Sequence, residues 1–217
     1  MLSNHCPSEA WLLDYALGNT PASFEILMNA HVGVCDKCRS DVNMFENIGG
    51  DLLASQHNGS VQVDMASTLA LAETHRNGVS TESRAVDAGS EASFDYFVRM
   101  HLNCSIGALP WRSLGGGLKV CKLRSEDDSR LWMLRAAPGT VLPRHSHEGS
   151  ELTLVLTGAY FCGSSIYGAG DIEDADETIE HQPIVTEDAE CICLAATEGP
   201  LRFDSWTARL IQPLIGI

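Results

Sequence analysis

The run from His31 to Cys38 constrains this chain more than any other segment. It reads His31-Val-Gly-Val-Cys35-Asp-Lys-Cys38, the pattern H-x3-C-x2-C. Two thiols two residues apart can bind one tetrahedral ion, and a His one helical turn earlier can supply a third ligand; this donor set favours zinc. If one helix ends near Val32 and the next begins near Asp36, the ion would fix the crossing of two helices too short to be stable alone.

A tetrahedral site needs a fourth ligand, and the residues before the first predicted helix offer two. His5 and Cys6 could fold back onto the helix junction. The alternative is that Cys35 and Cys38 are ordinary small residues. A redox pair is disfavoured because no βαβ pattern surrounds the two cysteines. The His one turn earlier and the His5-Cys6 pair make metal binding the preferred interpretation.

Helical periodicity predicts three short helices in the first fifty residues. The first spans residues 8–18, with Ser8 as N-cap and Gly18 as the stop. The second runs from Pro21 to about Val32, and the third runs from about Asp36 to Ile48 and ends at Gly49-Gly50. A weaker helical pattern at 61–75 could fold against a partner. Residues 76–93 are polar, rich in small residues and aperiodic, which predicts an interdomain linker.

From about residue 110 onward, short apolar segments separated by turn signals predict strands of a sandwich or barrel. The clearest are Leu118–Leu123, Leu131–Ala136, Leu152–Thr157 and Cys191–Ala195. The sequence therefore predicts an α + β chain of two domains. A small zinc-pinned helical bundle occupies residues 1–75, the linker occupies 76–93, and a β-barrel domain occupies 94–217.

A second group of metal-ligating residues lies in the predicted barrel, His145-x-His147-x3-Glu151. In a strand His145 and His147 point to the same face, because side chains alternate with period two. Glu151 can return across the following turn, and His181, after the turn at 168–170, lies in a suitable region to join them. Nitrogen and oxygen donors of this kind suit several divalent ions. We expect a divalent metal here, with zinc as the first choice.

Cys191 and Cys193 lie on one face of a predicted strand and near the barrel lumen. Two interpretations remain open: buried small apolar residues, or redox-sensing thiols that strand geometry keeps from forming a local disulfide. The cysteines outside these motifs are expected to be core residues (Cys104, Cys121, Cys162). The remaining histidines are expected to lie on the surface (His57, His75, His101).

Composition excludes several classes of protein. The formal net charge of -15 disfavours direct nucleic-acid binding, which needs clustered Lys and Arg, but permits a basic protein partner. No apolar run approaches the roughly 18 residues that span a bilayer, and no signal-type segment opens the chain. A cytoplasmic location without membrane contact is the expectation, and the eight cysteines are expected to be reduced.

The N-terminal segment resembles the zinc-binding anti-sigma domain, in the form found in ChrR-type anti-sigma factors. The matching residues are Ser8-Glu9-Ala10, Tyr15-Ala16, Gly18 and the H-x3-C-x2-C run. The family places its remaining ligand, a His, two residues ahead of the Ser, and here that position is Cys6. The resemblance therefore implies a Cys3His zinc site made by Cys6, His31, Cys35 and Cys38, with His5 as the alternative to Cys6.

The later segment matches the first cupin motif, Gly139-x5-His145-x-His147-x3-Glu151-x6-Gly158. Gly170 and His181 match part of the second cupin motif, across an acidic stretch that lengthens the spacing. This resemblance implies a cupin β-barrel (double-stranded β-helix) whose metal ligands are His145, His147, Glu151 and His181.

An anti-sigma domain followed by a cupin is similar to the architecture of ChrR-like transcription regulators. The resemblance implies that the helices hold an extracytoplasmic-function sigma factor and that the cupin senses singlet oxygen or peroxide, after which the partner is released. The alternative is a metal-dependent cupin enzyme of the dioxygenase or isomerase type, whose metal keeps an open position. A third alternative is a zinc-stabilised interaction module with a structural cupin. An enzyme would not need the helical module, so no catalytic residue is predicted.

Overall fold

The computed structural model describes residues 3–56, 94, 97–99, 104–125 and 127–203, and begins with three α-helices. They are α1 (Glu9–Ala16), α2 (Ala22–Val34) and α3 (Asp36–Gln56). Ser8 precedes α1 in an extended conformation, and Gly18 follows it with a positive φ of 69°, a conformation that glycine adopts without strain. The weak helical pattern at 61–75, the linker at 76–93 and the domain boundaries drawn there lie outside the described residues.

Helix α3 is longer than the sequence predicts. It starts at Asp36 as expected, but the predicted stop at Gly49-Gly50 is wrong, because the helix continues to Gln56. A glycine inside a helix costs only about 0.5–1 kcal/mol relative to alanine. The good helix formers that follow, Leu52, Leu53 and Ala54, offset that cost.

Eleven β-strands form the second half of the described chain. They are β1 (Arg112–Gly115), β2 (Leu118–Leu123), β3 (Arg130–Ala136), β4 (His145–Ser146), β5 (Glu151–Thr157), β6 (Ala159–Cys162), β7 (Ser165–Gly168), β8 (Ile172–Ala175), β9 (Ile184–Val185), β10 (Cys191–Thr197) and β11 (Arg202–Phe203). One sheet has the order β1-β2-β3-β10-β5-β8, a second has the order β7-β6-β9, and β11 pairs with β4. All pairings between these strands are antiparallel, and the predicted β-domain of sandwich or barrel type is confirmed.

The large sheet is covered on both faces, which explains why all seven residues of β10 are buried. Alternate residues Ile192, Leu194 and Ala196 join the cluster that contains the helices' apolar side chains, whereas Cys191 and Cys193 face the lumen. A strand buried on both faces reads as a continuous apolar run. The turn before β6 requires a glycine, because a Cβ at Gly158 (φ 71°) would lie 2.1 Å from the carbonyl oxygen of Glu190.

The helices pack on the outer face of this sheet. Helix α2 lies against β5 and β10, and its fully buried Phe24, Leu27 and Met28 share one apolar cluster with Leu154 and Leu194 of the sheet. The helical part and the β-domain therefore share a core, although the sequence predicts them as separate domains.

Within the described residues, no helix combines the length and apolar character that a membrane crossing requires.

Candidate metal centres

The first cluster lies where α2 meets α3. Cys6, His31, Cys35 and Cys38 each present one ligand atom, and these four atoms lie within 4.8 Å of one another. The Sγ atoms of Cys6 and Cys35 are 3.9 Å apart, and Nε2 of His31 is 3.3 Å from Sγ of Cys38. His31 sits in the last turn of α2, Cys35 lies between the helices and Cys38 sits in the first turn of α3. A single ion here would join both helix ends to the segment before α1.

Whether the thiols of this cluster are protonated depends on whether a cation is bound among them. Nδ1 of His31 donates to the carbonyl oxygen of Gly170 at 2.9 Å, which leaves the lone pair of Nε2 facing the sulfurs. Burial lowers the pKa of His31, so the imidazole is neutral. Burial, together with the adjacent thiols, raises the pKa of Cys38 well above its usual range. Several buried thiolates repel one another unless a cation neutralises them, and this sulfur-rich donor set fits zinc.

The structure brings Cys6 into this cluster and keeps His5 out of it. The ring of His5 packs against Tyr167 with centroids 4.4 Å apart, and its backbone carbonyl accepts a hydrogen bond from Ile172 N–H at 3.0 Å. The geometry therefore agrees with Cys6 as the fourth donor of the first cluster.

The second cluster lies inside the β-domain, and its four members are all buried: His145, His147, Glu151 and His181. Their ligand atoms lie within 4.8 Å of one another. Nε2 of His181 is 3.0 Å from Nε2 of His145 and 3.1 Å from Nε2 of His147. His145 lies on β4 and Glu151 begins β5, while His181 meets His145 across an isolated antiparallel bridge.

The hydrogen bonds around the second cluster point its lone pairs inward. Nδ1 of His145 donates to the carbonyl of Pro143 at 2.8 Å, and Nδ1 of His181 donates to Glu173 at 2.8 Å. The Nε2 atoms of both rings then face each other, and only a cation between them, either a proton or a metal ion, makes this approach favourable. Burial alone would lower the pKa of His181, but the hydrogen bond to Glu173 outweighs it and raises that pKa.

Two further atoms favour a metal ion over a proton. Nδ1 of His147 and Oε2 of Glu151 are buried and lie 3.2 Å apart, yet neither has a well-aligned hydrogen bond within the described part of the chain. Burial alone would raise the pKa of Glu151, but the nearby imidazoles, His147 first, outweigh it and lower that pKa, so the carboxylate is charged. A charged, poorly satisfied carboxylate beside three imidazoles fits a divalent ion.

Three residues next to the second cluster are not among the site residues that the sequence predicts. Glu173 accepts hydrogen bonds from His181 and from the Tyr160 hydroxyl (2.6 Å), and Cys162 Sγ lies 3.4 Å from Nδ1 of His181. Cys162 packs against the core of the β-domain, as expected, and its Sγ also faces His181 from β6, a contact that the sequence does not indicate. Burial of Cys162 raises its pKa to about 12. No local signal in the sequence identifies Glu173, because it lies among the acidic residues of the stretch 171–180.

A mainly apolar cavity of about 160 Å³ adjoins the second cluster. His145, Glu151 and His181 line it together with Cys191 and Cys193, whose Sγ atoms are 3.6 Å apart. The hydrogen bond with Cys191 and burial raise the pKa of Cys193 well above its usual range, so this thiol is protonated at neutral pH. Cys121 is buried and Cys104 packs against the same core, as expected, while His57, His75 and His101 lie outside the described residues.

Comparison with known proteins agrees with both halves of this arrangement. The family model described as "ChrR Cupin-like domain" matches residues 99–201. Anti-sigma-E factor ChrR of Cereibacter sphaeroides is 34% identical over 218 residues, which cover all of both chains. The solved structure of Rhodobacter sphaeroides SigE in complex with the anti-sigma ChrR matches with 30% identity and a TM-score of 0.71, over 89% of this chain and 98% of that chain. With this identity along its whole length, the chain belongs to the ChrR family of anti-sigma factors.

Proposed function

We propose that this chain holds an extracytoplasmic-function sigma factor through its helical region and releases it when an oxidant, singlet oxygen or a peroxide, acts on the cupin cluster. The full-length relative is an anti-sigma factor, a regulator and not an enzyme, so the comparisons lend no support to the dioxygenase or isomerase alternative. The sigma-binding unit in this proposal is residues 1–75, joined through a linker at 76–93 to the cupin domain at 94–217.

The observation that carries the proposal is an exposed apolar stripe on α3. Met44, Ile48 and Leu52 follow one another at intervals of four residues and are 49%, 51% and 60% exposed. Residues four apart lie on the same helix face, so these three form a continuous ridge. A ridge of this kind is the surface that helix-mediated partners bury. The net charge of -15 complements a basic partner surface.

We infer that zinc binds Cys6, His31, Cys35 and Cys38 and thereby fixes the angle between α2 and α3. Four-coordinate zinc sites with Cys and His ligands stabilise small helical units outright. Because Cys38 lies in the first turn of the helix that carries the ridge, the ion would set how the ridge is presented to a partner.

In the cupin domain we propose a divalent metal, zinc as the first choice, held by His145, His147, Glu151 and His181. The adjoining apolar cavity would admit a small oxidant. Cys191 and Cys193 remain candidate sensing thiols, and the raised pKa of Cys193 predicts slow reaction with peroxides, because the thiolate is the reactive form. Moving the complex from mostly bound to mostly free needs about 5.5 kcal/mol of differential stability.

We propose a cytoplasmic location, because a sigma factor acts there on RNA polymerase. Cell fractionation with an antibody against the chain tests this location. The chain should be found in the cytosolic fraction, where RNA polymerase is also found, and enrichment in the membrane fraction contradicts the proposal.

Reconstituted transcription tests the proposal. RNA polymerase, an extracytoplasmic-function sigma factor from the same genome and the full-length chain are combined on a promoter that the sigma factor reads. The chain should suppress transcription, and a photosensitiser that generates singlet oxygen should restore it in the light but not in the dark. The His147→Ala variant should show no response to the oxidant. Failure of the unmodified chain to suppress transcription by any such sigma factor would overturn the proposal.

A further inference from the structure

One six-residue run, from Gly168 to Glu173, contacts members of both metal clusters. It leaves β7 at Gly168, turns through Gly170 with a φ of 95° and enters β8 at Ile172. Its side chains alternate between the two parts of the molecule, because Ile172 joins the core shared with the helices while Glu173 lines the lumen.

On the side of the first cluster, this run positions two of the four candidate ligands. The carbonyl of Gly170 accepts the Nδ1–H of His31 at 2.9 Å and so fixes the ring that faces Cys38. Oδ1 of Asp171 accepts backbone N–H groups from Asn4 (2.7 Å) and His5 (3.1 Å), which lie directly before Cys6. Outer hydrogen bonds of this kind orient metal ligands, and a mutation that removes one such partner weakens metal binding by about 10–100-fold.

On the side of the second cluster, the same run positions His181. Oε1 of Glu173 accepts the Nδ1–H of His181, and Oε2 accepts the hydroxyl of Tyr160, so the carboxylate is held at both oxygens. Glu173 is 6% exposed. The arrangement fixes the direction in which His181 presents Nε2 to the other three members of the cluster.

Between these two ends the run is held by hydrogen bonds to β5 and within its own turn. Val155 of β5 donates to the carbonyl of Asp171 at 3.0 Å and accepts from the N–H of Gly170 at 2.8 Å. Oδ2 of Asp171 accepts the N–H of Gly168 at 2.9 Å, which closes the turn. A shift of Glu173 therefore moves Asp171 and Gly170 with it.

We infer that residues 168–173 couple the two metal sites energetically, with Glu173 as a positioning residue: a metal ion in the cupin cluster strengthens metal binding at the Cys3His cluster. The connection runs through β8 and does not require the segment that joins the domains along the chain. It rests on the metal binding proposed above but not on the identity of any protein partner. Coupling is reciprocal, and typical values correspond to a change of about 5–150-fold in affinity.

Cobalt titration of the full-length, metal-free chain tests the coupling. Co²⁺ bound by thiolates gives a charge-transfer absorption that the three-His, one-Glu donor set lacks, so the affinity of the Cys3His cluster can be measured separately by competition with a chelator. We expect His147→Ala, which disrupts the cupin cluster, to weaken cobalt binding at the Cys3His cluster by at least about fivefold. In a Glu173→Ala background, which removes both hydrogen-bond acceptors, the same change should have little effect. Glu187→Ala removes an exposed carboxylate of the same domain and should leave the full effect in place.

The unmodified chain supplies a second measurement that does not depend on how any variant folds. Its two sites should fill with positive cooperativity. Reciprocity adds a third measurement, made on a variant: Cys38→Ala should weaken cobalt binding at the cupin cluster by the same factor as His147→Ala weakens it at the Cys3His cluster. Independent filling of the two sites, or an effect of His147→Ala that persists unchanged with Glu173→Ala, overturns the inference and leaves the sigma-factor proposal standing. Absence of cobalt from either cluster overturns both this inference and the metal sites.

Discussion

The ridge on α3 leads to a sharp prediction, because its central residue can be changed without touching the core. Ile48 is 51% exposed and lies between Met44 and Leu52 on the same helix face. We expect Ile48→Glu to weaken binding of the sigma factor while leaving the chain folded. A substitution at an exposed helix position changes the free energy of unfolding by about 0.5 kcal/mol or less.

The size of the effect follows from the exposure of Ile48. Full burial of an isoleucine side chain contributes about 1.5–3 kcal/mol, so burying the exposed half contributes about 1 kcal/mol. Forcing a polar group into the same apolar contact costs about 1–3 kcal/mol more. The total of about 3 kcal/mol corresponds to a loss of about 100-fold in affinity.

Isothermal titration of the sigma factor into the full-length variant measures this loss. The matched control is Asn47→Glu, which adds the same charge at an exposed position next along the helix and off the ridge. The control should bind with nearly unchanged affinity, and both variants should melt close to the unmodified chain. If Ile48→Glu binds as tightly as Asn47→Glu, the ridge is not the contact surface and the reasoning fails.

Three further predictions concern the first cluster and the packing of α2. Cys6→Ala should weaken zinc binding at the first cluster by more than about 100-fold, because losing a ligand costs more than losing an outer hydrogen-bond partner. His5→Ala should leave that affinity nearly unchanged. Chelator competition measures both affinities, and equal effects of the two changes would restore His5 as a donor. Leu154→Ala should destabilise the fold by about 3 kcal/mol and raise hydrogen exchange in α2 as well as in β5, because its fully buried side chain belongs to the shared core; exchange confined to β5 would contradict that core. Asp127 accepts the N–H of Ala22 at 2.7 Å, and the hydrogen bonds it accepts, that from Ser129 first, lower its pKa to about 2. Because Asp127 is exposed, solvent screens these interactions, and Asp127→Ala should cost about 0.5–1 kcal/mol of unfolding free energy at pH 7. A depressed pKa stabilises the fold above the unfolded value of about 3.9, so in urea titrations this cost should shrink as the pH falls from about 4 towards 2, and a cost independent of pH would contradict it.

The sequence predicts the parts of this protein that local rules determine. Helical spacing, with Ser8 and Pro21 as start signals, locates α1 and α2 within about two residues, and apolar runs between turns locate β2 and β5. The residues expected to bind metal could be named because their spacing is short and specific. Cys6 and His181 needed the family resemblance as well, since neither lies within the short spacing of its own cluster.

What the sequence does not predict depends on contacts between distant segments. Gly49-Gly50 is a stop signal by local rules, yet the helix continues because the residues beyond it favour helix. Glu173 lies in an acidic stretch, and only the pairing of β8 with β5 shows that it faces His181. The shared core escapes prediction for the same reason, because the helical stripe containing Phe24 reads the same whether it packs on helices or on a sheet.

The number of metal ions bound to each chain is the decisive quantity, since the zinc-fixed helices, the cupin sensor and their coupling all require both sites to be filled. The full-length chain, Cys38→Ala and His147→Ala are purified without added chelator and analysed by inductively coupled plasma mass spectrometry. We expect two divalent ions for each unmodified chain, with zinc in the cluster that Cys38→Ala disrupts, and the loss of one ion in each variant. An unmodified chain that holds no ion in the Cys3His cluster, or variants that both retain two ions, would contradict this expectation.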